Sequence, residues 1–294
     1  MKRLSDINLR DPYILPVSRE NTYYLYGTDG ATAWHGKPAG FDVYKSCDLL
    51  NWEGPYPAFR PGPTFWGTHH YWAPEVHFYQ GKFYMFASFK AEGIARATHI
   101  LVADHPLGPF QTHGDSPITP RHWECLDGTL YIEKDGTPWM VFCREWLQVT
   151  DGEMYAVQLA PNLYDTVGEP ILLFKASSAP WSKPGEGGEQ VTDGPYLHRM
   201  GNGQLVMLWS SGGYQGYATG LARSVSGKII GPWKQDETPI FHEDGGHGML
   251  FQDWYGNLLL TLHAPNNNPK ERPIILRVEE RSGTLEMKEV SSAF

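Results

Sequence analysis

The chain repeats one pattern five times, and a repeat of this length constrains the fold more than any single motif does. Each segment opens with a polar residue beside Gly or Pro, runs through alternating apolar positions to a turn, and continues into an aromatic-rich second strand. The opening residues lie 64, 52, 66 and 54 residues apart, and they are Asp11, Glu75, Asp127, Asp193 and His247. Each segment is therefore predicted to form one antiparallel sheet.

Turn residues support this prediction. Four of the segments carry a residue followed by Gly between their two apolar runs, where two-residue hairpin turns are expected. These pairs are Gln80-Gly81, Asp135-Gly136, Asn202-Gly203 and Tyr255-Gly256. A third strand-like run follows in every segment, with the sequences FDVYKS, ATHILVAD, EMYAVQLA, TGLARSV and IILRVEE.

Five similar sheets predict an all-β chain folded as a five-bladed β-propeller, in which radial repetition protects the sheet edges. The composition agrees, because 19% charged residues with 32 Gly and 23 Pro disfavour a bundle of long helices. A two-sheet sandwich or jelly roll would also give short strands at regular spacing, but it does not explain five similar hairpins. Residues 1–294 are predicted to form one domain, since no linker separates two unlike halves.

Charge and cysteine content narrow the function. The net charge of −9, without long Lys/Arg runs, argues against a nucleic-acid or anionic-membrane partner. The three cysteines, Cys47, Cys125 and Cys143, lack zinc or redox spacing and are expected to be small core residues. No apolar stretch of signal-peptide length opens the chain, so a cytoplasmic protein is expected, although removal of a signal peptide would leave the same sequence.

The polar residues that open the segments indicate a chemistry. The first strand of each propeller blade lines the central channel, so these residues are expected to converge near the axis. An acidic residue beside Gly or Pro also caps turns, but turn caps need not group around one axis. Close carboxylates raise one another's pKa, so one can stay protonated while another is ionised. Glycoside hydrolysis requires such an acid and base pair, and a carboxylate-based hydrolase follows as a hypothesis.

At these residues the chain resembles glycoside hydrolase family 43, the five-bladed propellers that act on arabinose- and xylose-containing polysaccharides. The resemblance covers nearly the whole chain and is carried by five motifs in order at blade spacing. The motifs are Arg10-Asp11-Pro12-Tyr13, Tyr71-Trp72-Ala73-Pro74-Glu75-Val76, Leu126-Asp127-Gly128-Thr129-Leu130, Thr192-Asp193-Gly194-Pro195-Tyr196 and Gly245-Gly246-His247-Gly248.

The resemblance implies catalytic roles for three aspartates. Asp11 would be the general base that activates water, Asp127 would adjust the pKa of the acid and orient it, and Asp193 would be the general acid. The family usually has Glu at the acid position, and the shorter Asp places its oxygen about 1.5 Å further back, which can cost a hundredfold in rate. The substitute candidates are Glu145 and Glu189, for which an exposed loop position without a catalytic role is the alternative.

Two further channel residues follow from the same resemblance. His247 resembles a channel His that helps to hold a hydrated metal ion, usually calcium. Hard cations prefer oxygen ligands, so a hydrogen-bonded His247 without metal is an equal alternative, and no cofactor is expected to be required. Glu75 ends the Trp-Ala-Pro motif and is expected to shape the electrostatics of the substrate-binding channel rather than to transfer a proton.

The 11 tryptophans exceed what the core needs, and several lie in predicted loops. Indole faces stack on the apolar C–H faces of sugars, while the N–H donates to hydroxyls. Two or three of the following are expected to contact ligand, with packing between blades as the alternative: Trp34, Trp66, Trp72 and Trp146.

The function predicted from the sequence is an inverting, exo-acting glycoside hydrolase. It would remove terminal α-L-arabinofuranosyl units from oligosaccharides derived from plant polysaccharides. A β-D-xylosidase of the same fold is one alternative, and a propeller that binds sugars without cleaving them is another, which the Asp193 departure keeps open. Inversion predicts that the Asp11 carboxyl and the acid lie roughly 6.5 to 9.5 Å apart.

Overall fold

The computed structural model describes residues 1–281 and 283–288 and consists mainly of five antiparallel sheets. Each sheet has four strands that are consecutive in the chain. The five sheets form the blades of a β-propeller, which confirms the predicted fold class. The predicted domain runs to residue 294, and residues 289–294 lie outside the described part of the chain.

The strands are assigned to blades in chain order. Blade 1 contains β1 (Leu9–Val17), β2 (Thr22–Asp29), β3 (Phe41–Ser46) and β4 (Glu53–Phe59). Blade 2 contains β5 (His69–Tyr79), β6 (Lys82–Ala91), β7 (Ile94–Ala103) and β8 (Gln111–Thr112). Blade 3 contains β9 (Cys125–Ile132), β10 (Pro138–Arg144), β11 (Glu153–Leu159) and β12 (Thr166–Lys175).

Blade 4 contains β13 (Asp193–Arg199), β14 (Leu205–Gly213), β15 (Gly216–Ser224) and β16 (Trp233–Gln235). Blade 5 contains β17 (Gly246–Gln252), β18 (Leu258–Ala264), β19 (Arg272–Arg281) and β20 (Thr284–Met287). The short helices are α1 (Trp146–Val149) and three 3₁₀ turns at Leu4–Asp6, Ser18–Glu20 and Ala176–Ser178. None of the helices in the described residues is long and apolar enough to cross a membrane.

The first and second strands of each blade form a hairpin, as the turn residues predict. At Gln80-Gly81 both residues have positive φ, at 46° and 84°, which is the two-residue turn expected from the sequence. The turn at Asp135-Gly136 is wider, because Glu133 N–H donates to Thr137 O across it. The turns at Asn202-Gly203 and Tyr255-Gly256 are closed in the same way, by Met200 and Asp253. In these three wider turns only the Gly has positive φ, so the expectation of two-residue turns is wrong there.

Apolar side chains between neighbouring blades form the core. Ile14, Trp52 and Phe89 are fully buried in the cluster that joins blades 1, 2 and 5. Strand β1 packs against β17 and β18, so the ring is closed by side-chain packing between blades 5 and 1 rather than by a shared sheet. Cys125 and Cys143 are buried as expected, whereas Cys47 is exposed. Because blades can pack only through these faces, their first strands are held around one axis.

Candidate active site

One backbone irregularity recurs near the start of the first strand in all five blades. A bulge interrupts the pairing of the first two strands, and its first residue has a left-handed φ between 45° and 56°. These five residues are Asp11, Ala73, Asp127, Gly194 and His247. Left-handed φ is unfavourable for residues other than Gly, so each bulge must be held by its surroundings.

The bulges correct one part of the sequence analysis. Asp11, Asp127 and His247 occupy equivalent positions, but Asp193 lies one residue before the left-handed residue of its blade and Glu75 lies two residues after that of its blade. The predicted equivalence of all five opening residues is therefore wrong. Glu75 consequently lies deeper in the channel, where it is 4% exposed and its Oε2 lies 3.2 Å from His77 Nε2.

Side chains from the second strands hold the bulges. The second-strand residue paired with the residue just before each bulge is, in blade order, Thr28, Ser88, Cys143, Ser210 and His263. Four of these residues accept the N–H of the bulge residue in the next blade, at 2.8 to 3.2 Å. The exception is Cys143, and the Gly194 N–H donates instead to Asp127 Oδ2 at 2.9 Å. The one blade without a hydroxyl or imidazole at this position therefore uses a site carboxylate in its place.

Asp11 lies among cationic and hydrogen-bonding groups. Its Oδ1 is 3.3 Å from His247 Nδ1, and its Oδ2 accepts a 2.6 Å hydrogen bond from Thr28. Burial raises the pKa of Asp11, but His247 and then Arg10 lower it, and the net pKa is below the ordinary value. Burial also lowers the pKa of His263 to about 3, which leaves its Nδ1 unprotonated to accept the Asp11 N–H. Asp11 is thus held as a carboxylate.

Asp127 and Asp193 occupy the opposite electrostatic environment. Burial, followed by the charge of Asp11, raises the pKa of Asp127 well above its ordinary value. Burial, followed by the charge of Asp127, raises the pKa of Asp193 to about 7. Asp127 is 5% exposed, whereas Asp193 is only half-buried, so Asp193 is the more accessible of these two carboxyls with raised pKa.

Tyr217, from the start of β15, orients Asp193. Its hydroxyl donates to Asp193 Oδ2 at 2.8 Å, and its ring stacks on His263 with centroids 5.7 Å apart. Burial, followed by the charges of Asp193 and Asp11, raises the pKa of Tyr217 well above its ordinary value. The phenol therefore remains a donor, and it fixes one oxygen of the Asp193 carboxyl.

His247 contacts both sides of the site. Its Nδ1 lies 3.3 Å from Asp11 Oδ1 and 3.7 Å from Asp127 Oδ2. Among residues 1–281 and 283–288, no group of three or more His, Cys, Asp or Glu is arranged to hold a metal ion. The side chains present do not fit a direct metal site, and the calcium ion and the absence of a required cofactor both stay predictions.

A cavity of about 540 Å³ opens above these residues. Trp34 and Trp72 form one wall edge to face, with ring centroids 5.1 Å apart, and Trp146 also lines the cavity. The Arg96 guanidinium lies 3.7 Å from the Trp72 ring centroid and donates to Glu145 Oε2 at 3.1 Å. Glu145 is 5% exposed, so the alternative of an exposed loop position is wrong for it.

Three predicted residues are absent from the cavity lining, namely Glu75, Trp66 and Glu189. The Trp66 N–H donates to His99 Nδ1 at 2.9 Å, and its ring packs against Phe65 and Phe89. Glu189 lies within its own loop, close to Gly185. Only Trp34, Trp72 and Trp146 of the four selected tryptophans are therefore placed where a sugar could contact them.

The family model for glycosyl hydrolases family 43 matches residues 5–285. This chain belongs to glycosyl hydrolases family 43. The resemblance in the sequence motifs is thereby confirmed, as is the prediction of a glycoside hydrolase.

Solved and curated family members resemble the chain over most of its length. The crystal structure of an endo-arabinase from Bacteroides thetaiotaomicron VPI-5482 is 43% identical, with a TM-score of 0.88 over 96% of this chain and 98% of that one. The Bacillus subtilis extracellular endo-α-(1→5)-L-arabinanase 1 is 24% identical over 76% of this chain and 78% of its own length. The Cellvibrio japonicus extracellular exo-α-(1→5)-L-arabinofuranosidase ArbA is 27% identical over 88% of this chain and 79% of its own.

Several residues of this family 43 site were missed in the sequence. They are Arg10, Thr28, Arg96, Tyr217, His263 and Glu271. A signal existed for Thr28 and His263, because a polar residue recurs near the end of the second strand in most segments. Tyr217 and Glu271 lie at or just before third strands, and their place beside the site depends on loop packing rather than on a repeated pattern.

Proposed function

We propose that this family 43 hydrolase cleaves α-1,5-linked L-arabinosyl bonds with inversion, using Asp11 as general base and Asp193 as general acid. The observation that supports this proposal most is that the pKa values of two carboxyls in one site are shifted in opposite directions. The pKa of Asp11 is below its ordinary value, and that of Asp193 is raised to about 7. Near neutral pH, such a site holds one carboxylate and one carboxylic acid, as the reaction requires.

In the proposed reaction the acid acts on the leaving group and the base on water. Asp193 transfers its proton to the glycosidic oxygen as the bond from that oxygen to the anomeric carbon breaks. Asp11 takes a proton from the water whose oxygen bonds to the anomeric carbon from the opposite face. The two carboxyls end in exchanged protonation states, and proton exchange with solvent restores them. The separation of 6.5 to 9.5 Å, which leaves room for the water, stays a prediction.

Asp127 is proposed to keep the acid protonated. Its charge is the second largest contribution to the raised pKa of Asp193, after burial. The Gly194 N–H donates to Asp127 Oδ2, and Gly194 directly follows Asp193, so the same contact fixes the backbone beside the acid. Tyr217 fixes the Asp193 carboxyl from the other side.

Glu145 is a weaker candidate for the acid than Asp193. Its Oε2 accepts from the buried Arg96, which in turn packs on Trp72. A carboxylate engaged by a guanidinium is suited to holding that cation in the cavity wall. We therefore assign Glu145 and Arg96 to substrate binding, together with Trp34, Trp72 and Trp146.

The substrate proposal rests on the relatives. The 43% identical protein is named an endo-arabinase, and the two curated relatives are named an endo-α-(1→5)-L-arabinanase and an exo-α-(1→5)-L-arabinofuranosidase. Exo action was expected from the sequence and stays a prediction. Internal cleavage is the second candidate, because two of these three relatives are named as endo enzymes.

The deciding experiment measures products from linear α-1,5-arabinan and release from nitrophenyl glycosides. Arabinose alone from the first time point supports exo action, whereas a ladder of oligosaccharides supports endo action. Release from the β-D-xyloside but not from the α-L-arabinofuranoside or arabinan would replace the arabinosyl proposal with the xylosidase alternative. Failure to cleave any of these substrates would reject the proposed function.

A further inference from the structure

Arg10 occupies the ring position that in blade 4 holds Asp193. Both residues directly precede the left-handed residue of their blade, and they pair with the equivalent second-strand residues Thr28 and Ser210. In blades 1 to 4 the side chain at this position lines the cavity. The backbone geometry that places Asp193 in the cavity therefore places Arg10 there as well.

The guanidinium of Arg10 has donors to spare. Its NH1 donates to Glu271 Oε1 at 2.8 Å, and in the described part of the chain this is the only hydrogen bond of the Arg10 side chain. A guanidinium carries five N–H donors in one plane. None of the Arg10 nitrogens is both fully buried and unpartnered, and the side chain is 11% exposed. Arg10 lines the cavity and its Cζ lies 5.1 Å from the Trp34 ring centroid, so the free donors are accessible from the cavity.

Glu271 holds this guanidinium from behind. Its side chain is fully buried, and its Oε2 has no hydrogen-bond partner within the described residues. A buried carboxylate with an unmet oxygen is unfavourable, so its retention points to a purpose other than stability. Its loop is tied to blade 1 because Asn268 Nδ2 donates to Gly30 O at 2.7 Å. Glu271 and Arg10 are thus fixed relative to each other across the seam between blades 5 and 1.

We propose that Arg10 donates hydrogen bonds to hydroxyls of the sugar unit beside Asp11, and that Glu271 is a positioning residue that aims the guanidinium into the cavity. A planar fork of donors fits a pair of neighbouring sugar hydroxyls better than a single ammonium does. The proposal rests on the proposed function, since it requires a sugar in this cavity. It adds a determinant of substrate recognition that lies next to the base in the sequence.

The test measures binding of arabinotriose and xylotriose by calorimetry to the Asp193→Asn protein, in which turnover is suppressed. Arg10→Met and Glu271→Leu are each added to this parent. Loss of charged hydrogen bonds predicts roughly 10- to 100-fold weaker binding of whichever trisaccharide the parent binds. Glu271→Gln keeps an acceptor for Arg10 and should restore most of the affinity lost in Glu271→Leu.

Glu133→Gln is the matched control, because Glu133 also pairs with an arginine, with Oε2 3.4 Å from Arg199 NH2. Glu133 directly follows the last residue of β9, whereas Asp127 lies near the first. It should bind within about twofold of the parent. Equal binding by Arg10→Met and the parent would overturn the Arg10 assignment. Weak binding by Glu271→Gln and Glu271→Leu alike would overturn the positioning role. A parent that binds neither sugar would reject the proposed function, and this inference with it.

A second readout is the pH profile of kcat/KM, measured with Arg10 variants of the otherwise unmodified enzyme. It separates a specific loss of the guanidinium from general structural damage. Among the charged groups that lower the pKa of Asp11, Arg10 has the second largest effect, behind His247. Arg10→Met should therefore move the acid limb of the pH profile of kcat/KM to higher pH. Arg10→Lys keeps the charge but loses the fork, and it should raise KM without moving that limb. An unmoved acid limb in Arg10→Met would show that the guanidinium does not face Asp11 and would count against the proposal.

Discussion

The two sides of the active site use the same backbone geometry but opposite surroundings. Asp11 and Asp127 both occupy left-handed bulge positions, with φ of 51° and 56°. Beside Asp11 lie His247 and Arg10, and its pKa is lowered overall. Asp127 is buried, and burial, followed by the charge of Asp11 and more weakly by that of Glu75, raises its pKa well above the ordinary value. The fold therefore supplies the position, and neighbouring blades supply the proton state.

This difference also has a cost in stability. Convergent buried carboxyls on the side of blades 3 and 4 destabilise the folded state unless they are protonated, whereas the Asp11 side is stabilised by attraction. The fold retains the buried carboxyls of Asp127 and Asp193 because acid catalysis requires a carboxyl that holds its proton near neutral pH. Substitutions on the Asp11 side and on the side of Asp127 and Asp193 are therefore expected to have different effects.

The largest effect is expected from Asp11→Asn. An amide cannot take a proton from water, so kcat should fall by roughly 10²- to 10⁴-fold while product binding stays nearly unchanged. Steady-state kinetics on arabino-oligosaccharides together with calorimetry of arabinose binding would check this. Substantial residual activity would show that Asp11 only caps a turn.

Asp193→Asn should have a large effect that depends on the leaving group. A poor leaving group needs the proton, so cleavage of oligosaccharides should fall roughly 10²- to 10³-fold, whereas cleavage of a dinitrophenyl glycoside should change little. Glu145→Gln is the control and should affect both substrates alike, through binding. Should the leaving-group dependence appear in Glu145→Gln instead, Glu145 is the acid and the assignment of Asp193 is wrong.

The pH profile of kcat/KM of the unmodified protein should report the lowered pKa of Asp11 and the raised pKa of Asp193 together. Asp11 must be ionised, so kcat/KM should fall on the acid side only below the ordinary Asp range, because its pKa is lowered. Asp193 must be protonated, so kcat/KM should also fall as pH rises through about 7. A basic limb that persists in Asp193→Asn would assign that limb to another group.

Replacing Asp127 and replacing Asp11 by Asn should change thermal stability in opposite directions. The pKa of Asp127 in the folded protein is raised above its ordinary value of 3.8. As pH rises, the unfolded state therefore ionises before the folded state does, and the free energy of unfolding falls above pH 3.8. Asp127→Asn should therefore raise Tm near pH 7 by roughly 2 to 5 °C, and the gain should vanish below pH 3.8. Asp11→Asn should lower Tm at neutral pH. Calorimetry showing the same sign for both variants would refute the contrast.

The sequence was sufficient to predict the blades and the convergence of Asp11, Asp127 and Asp193 on one cavity, but not the surroundings of these carboxyls. Hairpins and third strands follow from local alternation and turn residues, so five sheets could be counted from the printed chain. The offset of Asp193 from Asp11 could not, because it depends on which residue of β14 pairs with it, and Ser210 is that residue. Arg10 meets Glu271 across 261 residues of sequence, a contact that only closure of the ring creates.

The smallest and most specific effect is expected at Cys143, the ring position that lacks a hydroxyl. In Ser88 and Ser210 the equivalent hydroxyl accepts the next bulge N–H at 2.9 and 2.8 Å, so Cys143→Ser should compete with Asp127 Oδ2 for the Gly194 N–H. Loss of that bond would raise the pKa of Asp127 further and reduce its mean negative charge. Asp193 would then ionise more readily, and the basic limb of kcat/KM should move toward lower pH, by up to about one pH unit.

Cys125→Ser is the matched control for this change, because Cys125 is equally buried and sits on β9 outside the ring of second-strand residues. It should leave the basic limb in place while introducing the same polar atom into the core. A shift of equal size in both variants would trace the effect to a disturbed core. A shift toward higher pH in Cys143→Ser would mean that Asp127 keeps the Gly194 N–H and that the serine stabilises the protonated acid directly. Only an acid-ward shift confined to Cys143→Ser fits a site in which the missing hydroxyl ties Asp127 to the blade that carries the acid.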